Sequence, residues 1–434
     1  DTRLTTVDTE THQVPYRTLK SIFHQRDRVG ADAEERARRD SPASIHWDMM
    51  IGESSMFALM TPEVAALIER IMSFEPKIQA EWDGLPGRAQ YHYLQRMVID
   101  EIQATNEIEQ VRSTRKEISA AIKAVRAERP TASKRFTEMV RLYLDIGNDE
   151  AESPQTLDDV RTVYDAVTAG EIRDEDAPDG VRFRRGSVSV ESGTRIVHTG
   201  VVPESAIDDA LVLMLSQGRD ESIPRLIRAV AAHFILEYTH PFYDGNGRTG
   251  RYLLALDLRQ VLAPYASLAL SATVADNKDR YYRAFTDTEN PLNRGDLTPF
   301  VIEMLELIGE AQHRLLLDLS ERRQKIETLA VRVSVLVEDE QFPLSVGLDR
   351  ESPPPVESGD IASILFTLGQ AHHIDPNRAV KMSTLADAMG RSNQFARPRL
   401  QRLDDAGIIE TVTRKPLRFR LTQQGMSLLE LGGE

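Results

Sequence analysis

The segment whose residue types are best suited to catalysis is residues 240–251, which reads HPFYDGNGRTGR. It places His240, Asp244, Arg248 and Arg251 within about three helical turns. A neutral imidazole accepts a proton readily near pH 7, a carboxylate binds hard cations, and guanidinium groups bind phosphate oxygens. The combination predicts a site that handles phosphate groups.

Two helices are expected to position these side chains. Apolar residues at helical spacing over 222–238 predict a helix that ends before His240, and Pro241 is expected to push His240 toward an extended conformation. A second helix is predicted to begin at Arg248, after glycines that allow peptide N–H groups to approach an anion. Cations at Arg248 and Arg251 oppose the dipole of that helix, so they predict a bound anion or carboxylate.

This segment resembles the HPFx(D/E)GNGRxxR signature of Fic-domain proteins and matches it at every fixed position. The resemblance implies transfer of a nucleoside monophosphate, usually AMP from ATP, to a hydroxyl side chain of a target protein. It therefore implies ATP as co-substrate, Mg²⁺ as cofactor, and a protein with a Ser, Thr or Tyr hydroxyl as partner.

Under this interpretation each polar residue of the segment has a role. His240 takes the proton of the attacking hydroxyl, and Asp244 holds Mg²⁺. The phosphates are expected to be bound by Gly245 and Gly247 through their amides, by Asn246 at the α-phosphate, and by Arg248 and Arg251 at the β- and γ-phosphates.

An upstream segment, residues 104–110, resembles the (S/T)xxxE(G/N) inhibitory motif of one class of Fic proteins. On a helix predicted over 91–111, Thr105 and Glu109 share one face. The resemblance implies that Glu109 pairs with Arg251 and displaces the γ-phosphate, while Thr105 fixes the helix by hydrogen bonding. Gln110 departs from the usual Gly or Asn, and a solvated acidic helix face is the alternative interpretation.

A hairpin is predicted over 186–198, where residues alternate on either side of a Ser-Gly turn. In the resembled family such a hairpin, the flap, aligns a target segment at its edge, so Val188 and Ile196 are candidates for target docking. The ribbon could instead only cover a core, with His198 in a packing or capping role. Tyr281 and Tyr282 could line an adenine pocket, or they could be core residues.

Composition excludes several classes of site. The chain has 434 residues, no cysteine and a formal net charge of -15. A cysteine nucleophile, a disulfide framework and a thiolate metal site are therefore excluded, and nonspecific binding of nucleic acid by the whole protein is disfavoured. No apolar run approaches the roughly twenty residues of a membrane span, so we expect no membrane partner and a cytoplasmic location.

The predicted fold is mainly α: a Fic-type helical core with a small β-hairpin flap, followed by an α+β winged-helix domain. We expect an N-terminal helical region over 1–150, a catalytic core over 151–315, a connector and linker over 316–358, and the last domain over 359–434. Residues 1–40 are expected to be an arm or a loosely packed helix. Further helices are predicted at 61–72, 117–128, 156–168, 297–315 and 315–341.

The C-terminal pattern resembles a winged helix-turn-helix. Helices are predicted at 361–372, 383–389 and 393–405, capped by Ser383 and by Ser392 or Asn393, with strands at 408–413 and 417–421. A basic cluster predicts contact with DNA phosphates. Its members are Arg391, Arg397, Arg399, Arg402, Arg414, Lys415, Arg418 and Arg420. Pro398 is expected to kink the third helix, and the alternative role is protein docking or dimerisation.

Three functions remain open at this point. The first is a protein adenylyltransferase that Glu109 inhibits, and the second is removal of AMP by the same site, with Glu109 aligning a water. The third is a nucleotide-sensing transcriptional regulator that binds DNA. Contacts between Fic cores make a homodimer plausible.

Overall fold

The computed structural model describes residues 16–127, 135–192, 195–338, 355–374 and 379–431. Up to residue 338 the elements are α1 (Leu19–Arg26), α2 (Arg28–Arg39), β1 (Ser44–Ile51), β2 (Ser54–Leu59), α3 (Pro62–Asp83), α4 (Gly87–Ile108), α5 (Arg115–Arg126), α6 (Thr137–Gly147), α7 (Leu157–Val167), β3 (Ser189–Ser192), β4 (Arg195–Thr199), α8 (Glu204–Gln217), α9 (Arg225–Thr239), α10 (Asn246–Leu258), α11 (Pro264–Ser267), α12 (Leu270–Asp276), α13 (Lys278–Thr288) and α14 (Thr298–Glu338). From residue 355 they are α15 (Pro355–Ile374), β5 (Val380–Lys381), α16 (Met382–Ala388), α17 (Asn393–Asp405), β6 (Ile409–Arg414), β7 (Leu417–Leu421) and α18 (Gln423–Leu428). The prediction of a mainly helical fold with small hairpins is confirmed.

Two compact units divide the chain. The first contains the described residues up to Gln79 together with Leu94–Leu315, and the second contains Ala80–Tyr93 and the described residues from Leu316 onward. The four-part division at residues 150, 315 and 358 remains a prediction. Within the described ranges, no helix combines the length and the apolar character needed to cross a bilayer.

The described residues before 60 pack more firmly than the expected arm or loose helix. Arg38, only 7% exposed, forms an ion pair with Asp296 at 3.0 Å, and the Tyr16 hydroxyl donates to the same carboxylate at 2.6 Å. The hairpin of β1 and β2 is an element that the sequence analysis did not predict. The helical alternative holds for the described residues of this segment, but their packing is firmer than expected because the charge partner of Arg38 lies 258 residues away, where composition cannot reveal it.

The helices predicted in the first unit are present with shifted ends. The helix expected at 61–72 continues as α3 to Asp83, through Pro76. The helix expected over 91–111 is α4 and ends at Ile108, because Gln110 adopts a left-handed φ of 57° that leaves the helical path. The helix expected at 297–315 continues as α14 to Glu338.

The core of the first unit is built on α9 and α10. Nearly every side chain of α9 is buried, including its polar His233 and Arg228, and α10 is buried along most of its length. The two helices approach closely at Gly250, where a Cβ atom would lie 2.0 Å from the Glu237 carboxylate. A larger residue at this position would displace the Glu237 side chain.

The predicted flap forms as the antiparallel pair β3 and β4. Val190 pairs with His198 and Ser192 with Arg195, with a register shift after Val190. The second residue of the predicted Ser-Gly turn, residue 193, and the residue after it lie outside the described residues.

The C-terminal part of the second unit contains α15 to α18 and an antiparallel sheet of order β5-β7-β6. The predicted N-cap at Ser392 is confirmed, since its side chain accepts from the Phe395 N–H. The predicted cap at Ser383 is wrong: α16 begins at Met382, and Lys381 precedes it without a side-chain cap. The reason is that Val380 and Lys381 pair with β7, so α16 follows a strand directly and leaves no capping turn.

The capping box that begins α7 gives a test of local stability. The Thr156 side chain accepts from the Asp159 N–H, and the Asp159 carboxylate accepts from the Thr156 N–H. Thr156→Ala should cost about 1 kcal/mol, so amides of the first turn of α7 should exchange roughly fivefold faster with deuterated water. The matched control is Thr162→Ala, which removes a hydroxyl that bonds only to the Asp158 carbonyl within the same helix. Equal exchange in both variants would contradict the capping role.

Candidate active site

His240 lies where α9 ends, and its backbone differs from the sequence prediction. Its φ and ψ are 52° and 60°, a left-handed conformation rather than the extended one expected before proline. Its N–H donates to the Leu236 carbonyl at 2.9 Å, so the residue closes the last turn of α9. A non-glycine residue in this region carries about 1–2 kcal/mol of strain, which the surrounding contacts must offset.

Arg184 supplies those contacts. Its guanidinium is fully buried and donates to the His240 carbonyl at 2.7 Å and to the Thr239 carbonyl at 3.2 Å. Further bonds reach the carbonyls of Gly186 and Val201, on either side of the flap. Arg184 therefore fixes both the histidine turn and the base of the flap. The sequence analysis missed it, because its partners lie up to 56 residues away.

The imidazole of His240 is neutral, as a general base must be before it accepts a proton. Its Nδ1 lies 3.2 Å from the Glu237 carbonyl, which can only accept, so Nδ1 carries the proton and Nε2 keeps a free lone pair. Burial, with smaller contributions from His198 and Arg184, lowers the pKa of His240 to about 4. The ring is therefore neutral at pH 7 and able to accept a proton.

The loop after His240 is held by stacking and by an amide bridge. Phe242 stacks on Tyr164 with ring centroids 3.6 Å apart. Asn246 accepts from the Phe242 N–H at 2.9 Å and donates to the Phe242 carbonyl at 2.8 Å. Gly245 has a φ of 85°, and a Cβ there would lie 2.6 Å from the Thr168 side chain. The observed contacts of Asn246 are thus within the loop, and its contact with an α-phosphate stays a prediction.

Asp244 and Tyr243 project from this loop. Asp244 is exposed, and one of its oxygens accepts the Gly245 N–H at 2.6 Å. The Tyr243 hydroxyl accepts from the Gly186 N–H at 2.8 Å and donates to Asp179 at 3.0 Å, which links the loop to the start of the flap. The described residues contain no group of three His, Asp or Glu side chains arranged around a metal position.

Arg251 is the buried cation of the site, and it contacts the segment with the predicted inhibitory motif. It is 3% exposed, and it donates to the Thr105 hydroxyl at 2.8 Å and to Glu109 at 2.7 Å. Glu109 follows the end of α4 and lies over Gly247, where a Cβ would come within 2.2 Å of its carboxylate. Burial raises the pKa of the neighbouring Glu237 to about 8, and Glu109 is the carboxylate that contacts the Arg251 guanidinium.

Arg248 also has a carboxylate partner. It is 1% exposed, and its guanidinium forms an ion pair with Glu171, which follows α7. Glu171 pairs in addition with Arg135 at 2.8 Å. The sequence analysis did not identify Glu171, because no local pattern connects residues 77 positions apart.

The aromatic and flap candidates take different positions. Tyr281 is buried, and its hydroxyl bonds to Nε2 of His233 at 2.8 Å, whereas Tyr282 is 43% exposed. On the flap, Ile196 is 57% exposed and Val188 is partly buried. His198 bonds to the Tyr238 carbonyl at 2.8 Å and to Glu289 at 2.7 Å, which attaches β4 to the end of α9. Docking and base binding by these residues stay predictions.

Several basic residues of the C-terminal part have carboxylate partners. Arg399 pairs with Asp360 at 3.2 Å and stacks on Phe395 at 3.7 Å, and Arg391 lies 3.8 Å from the same carboxylate. Arg420 pairs with Glu410. The exposed members are Arg391, Arg397, Arg402, Arg414 and Lys415. Pro398 lies inside α17.

The protonation state of His240 can be tested by its pH dependence. Its pKa is about 4 in the fold and about 6.5 when exposed, so the folded protein binds fewer protons between these values. The stability that neutral His240 contributes is present above pH 6.5 and is lost as the pH falls toward 4. Ring-nitrogen NMR signals, assigned with His240→Gln, should be those of a neutral imidazole at about pH 5.5. Signals of an imidazolium at that pH would contradict the buried environment.

Parts of the chain are similar to curated proteins. Among curated proteins, the chain is similar to "Protein adenylyltransferase fic-1" of Caenorhabditis briggsae, with 36% identity over 24% of this chain and 19% of that protein. It is also similar to "Protein adenylyltransferase Fic" of Drosophila grimshawi, with 28% identity over 42% of this chain and 35% of that protein. The chain thus spans between about a fifth and a third of the length of these relatives.

Solved structures of Fic proteins are also similar in fold. A Fic family protein from Desulfovibrio desulfuricans has 20% identity and a TM-score of 0.49, over 84% of this chain and 97% of that one. Fic-1 from C. elegans has 20% identity and a TM-score of 0.43, over 70% and 81% of the two chains. Residues 154–258, which contain α7, the flap, His240 and both arginines, match the Fic/DOC family.

Proposed function

We propose that this protein transfers AMP from ATP to a Ser, Thr or Tyr hydroxyl of a target protein, and that Glu109 inhibits the transfer. The observation that carries the proposal is the placement of a neutral base and a buried cation at the two ends of one anion-binding turn. His240 precedes the loop, and Arg251 follows it within the first turns of α10. The names of the curated relatives support the same activity.

The chemistry follows from these positions. The hydroxyl oxygen of the target attacks the α-phosphorus of ATP, and Nε2 of His240 takes the hydroxyl proton. The bond between the α-phosphorus and its bridging oxygen to the β-phosphate breaks, and pyrophosphate leaves. The peptide N–H groups of Asn246 and Gly247, in the first turn of α10, stabilise the charge on the phosphoryl oxygens, because the Gly245 N–H already donates to Asp244.

The donor set fits Mg²⁺. Asp244 is an exposed carboxylate held beside the backbone amides of the loop, and Mg²⁺ in phosphate sites commonly needs only one or two protein carboxylates. Asp244 would hold the ion, which supplies charge neutralisation on the phosphates.

Inhibition follows from the contacts of Arg251. A triphosphate that uses this cation must displace the Glu109 carboxylate, which lies 2.7 Å from the guanidinium. A hydrogen bond between charged groups contributes about 1.5–3 kcal/mol, which corresponds to about a tenfold to hundredfold reduction in ATP affinity. Thr105 accepts from the same guanidinium and keeps it oriented toward Glu109.

Removal of the Glu109 carboxylate should activate the protein. We expect purified Glu109→Gly, with ATP and Mg²⁺, to acquire AMP adducts at least about tenfold faster than the wild type, by the size of the lost interaction. Intact-protein mass spectrometry measures the adduct. Glu107→Gly is the control, because it removes an exposed carboxylate two residues earlier in the chain, in the last turn of α4. Glu109→Gly with His240→Ala should form no adduct.

Several outcomes would contradict this account. Equal activity of Glu109→Gly and Glu107→Gly would remove the inhibitory role of Glu109. Undiminished transfer by the His240→Ala protein with an intact fold would remove the assignment of the base.

Removal of AMP is the alternative direction at the same site. It is favoured by the position of Glu109 over Gly247, where a carboxylate could align a water toward a bound phosphoryl group. If the AMP adduct of the Glu109→Gly protein disappears when wild-type protein is added without ATP, the removal reaction operates. Persistence of the adduct leaves transfer as the activity.

A second candidate function is DNA binding by the C-terminal part. It is favoured by four exposed cations on α17 and the β6–β7 turn: Arg397, Arg402, Arg414 and Lys415. Their concentration on an acidic chain is the pattern expected of a phosphate-contacting surface.

This candidate predicts binding that depends strongly on salt. Fluorescence anisotropy of labelled duplex DNA with the full chain should show an affinity that falls as the salt concentration rises. In a plot of log binding constant against log salt concentration, the slope should have a magnitude near one for each DNA phosphate that the protein contacts. Arg397→Gln with Arg402→Gln should reduce that slope by about two. Arg141→Gln, an exposed charge change in α6, is the control. Absence of binding at low salt would leave a protein-docking role for this part.

A further inference from the structure

Both arginines of the phosphate-binding motif are occupied by carboxylates of the chain itself. Glu109 occupies Arg251, and Glu171 occupies Arg248. The anion that was predicted from the two cations at the start of α10 is therefore supplied twice by carboxylates of the protein. Only the first pair was expected from the inhibitory motif.

We propose that Glu171 is a second inhibitory carboxylate, which competes with nucleotide phosphates for Arg248. The inference rests on the proposed function, because it assumes that Arg248 binds a phosphate of ATP. Glu171 and Arg248 are both nearly inaccessible to solvent, so their interaction is little screened and a phosphate must replace it directly.

The environment of the pair supports exchange of partners. Glu171 accepts from Arg135 at 2.8 Å, so its charge remains balanced when Arg248 turns to a phosphate. Within the described part of the chain, Nε of Arg248 has no hydrogen-bond partner. Arg248 therefore has an unused donor that a phosphate oxygen can accept from.

The same carboxylate is coupled to the inhibitory segment. Arg135, which holds Glu171, also donates to the Arg112 carbonyl at 2.5 Å, three residues after Glu109. The segment that carries Glu109 is therefore attached to α10 twice, directly through Arg251 and indirectly through Arg135, Glu171 and Arg248. Displacement of Glu171 by a phosphate would break the second of these attachments.

The test measures nucleotide binding rather than transfer. Isothermal titration with a non-hydrolysable ATP analogue and Mg²⁺ compares Glu109→Gly with the double variant Glu109→Gly, Glu171→Gln. We expect the double variant to bind about tenfold more tightly, because a charged competitor becomes neutral. The matched control is Glu138→Gln in the same background, which removes an exposed carboxylate paired with Arg141.

A second variant gives the opposite sign. Arg135→Gln in the Glu109→Gly background leaves Glu171 with Arg248 as its remaining guanidinium partner, so the analogue should bind more weakly. If the Glu171→Gln protein does not fold, the Arg135→Gln variant tests whether Glu171 competes with nucleotide for Arg248. Unchanged or weaker binding after Glu171→Gln, or unchanged binding after Arg135→Gln, would overturn the second inhibitory contact. If the Glu109→Gly parent does not bind the analogue at all, the proposed function itself fails.

Discussion

The central constraint of the site is that the buried guanidinium of Arg251 requires a negatively charged partner. Arg251 is almost inaccessible to solvent, and a buried cation without a partner costs several kcal/mol. Glu109 and Thr105 meet that need in the described structure, and a triphosphate could meet it equally well. Under the proposed function, nucleotide binding and inhibition are therefore alternative solutions to the same electrostatic constraint. A phosphate that binds Arg251 would replace the Glu109 carboxylate directly, so the proposed inhibition needs no separate switch.

His240 and Arg251 are anchored differently from Glu109, the carboxylate that the proposed function requires a nucleotide to displace. His240 is fixed by the end of α9 and by Arg184, and α10 is fixed against α9 at Gly250. Glu109 instead follows the end of α4, beside Gln110 in a left-handed conformation that costs a non-glycine residue about 1–2 kcal/mol. Under the proposed function, His240 and Arg251 form the preorganised part of the site, and the turn at Gln110 carries the carboxylate that a nucleotide would displace.

The sequence predicted what local patterns determine. The two helices around residues 240–251, the hairpin and the helix α17 follow from periodicity, glycines and capping residues that are close in the chain. Arg184 and Glu171 could not be found in this way, because their partners lie 56 and 77 residues distant. The pre-proline rule also gave the wrong backbone for His240, since the cap of α9 and the Arg184 bonds outweigh that local preference.

The most direct measurement is a crystal structure of the Glu109→Gly protein with a non-hydrolysable ATP analogue and Mg²⁺. The account predicts that phosphate oxygens accept hydrogen bonds from Arg248 and Arg251, and that the α-phosphorus faces Nε2 of His240. A nucleotide bound elsewhere, or bound here with His240 directed away from the α-phosphorus, would contradict the account.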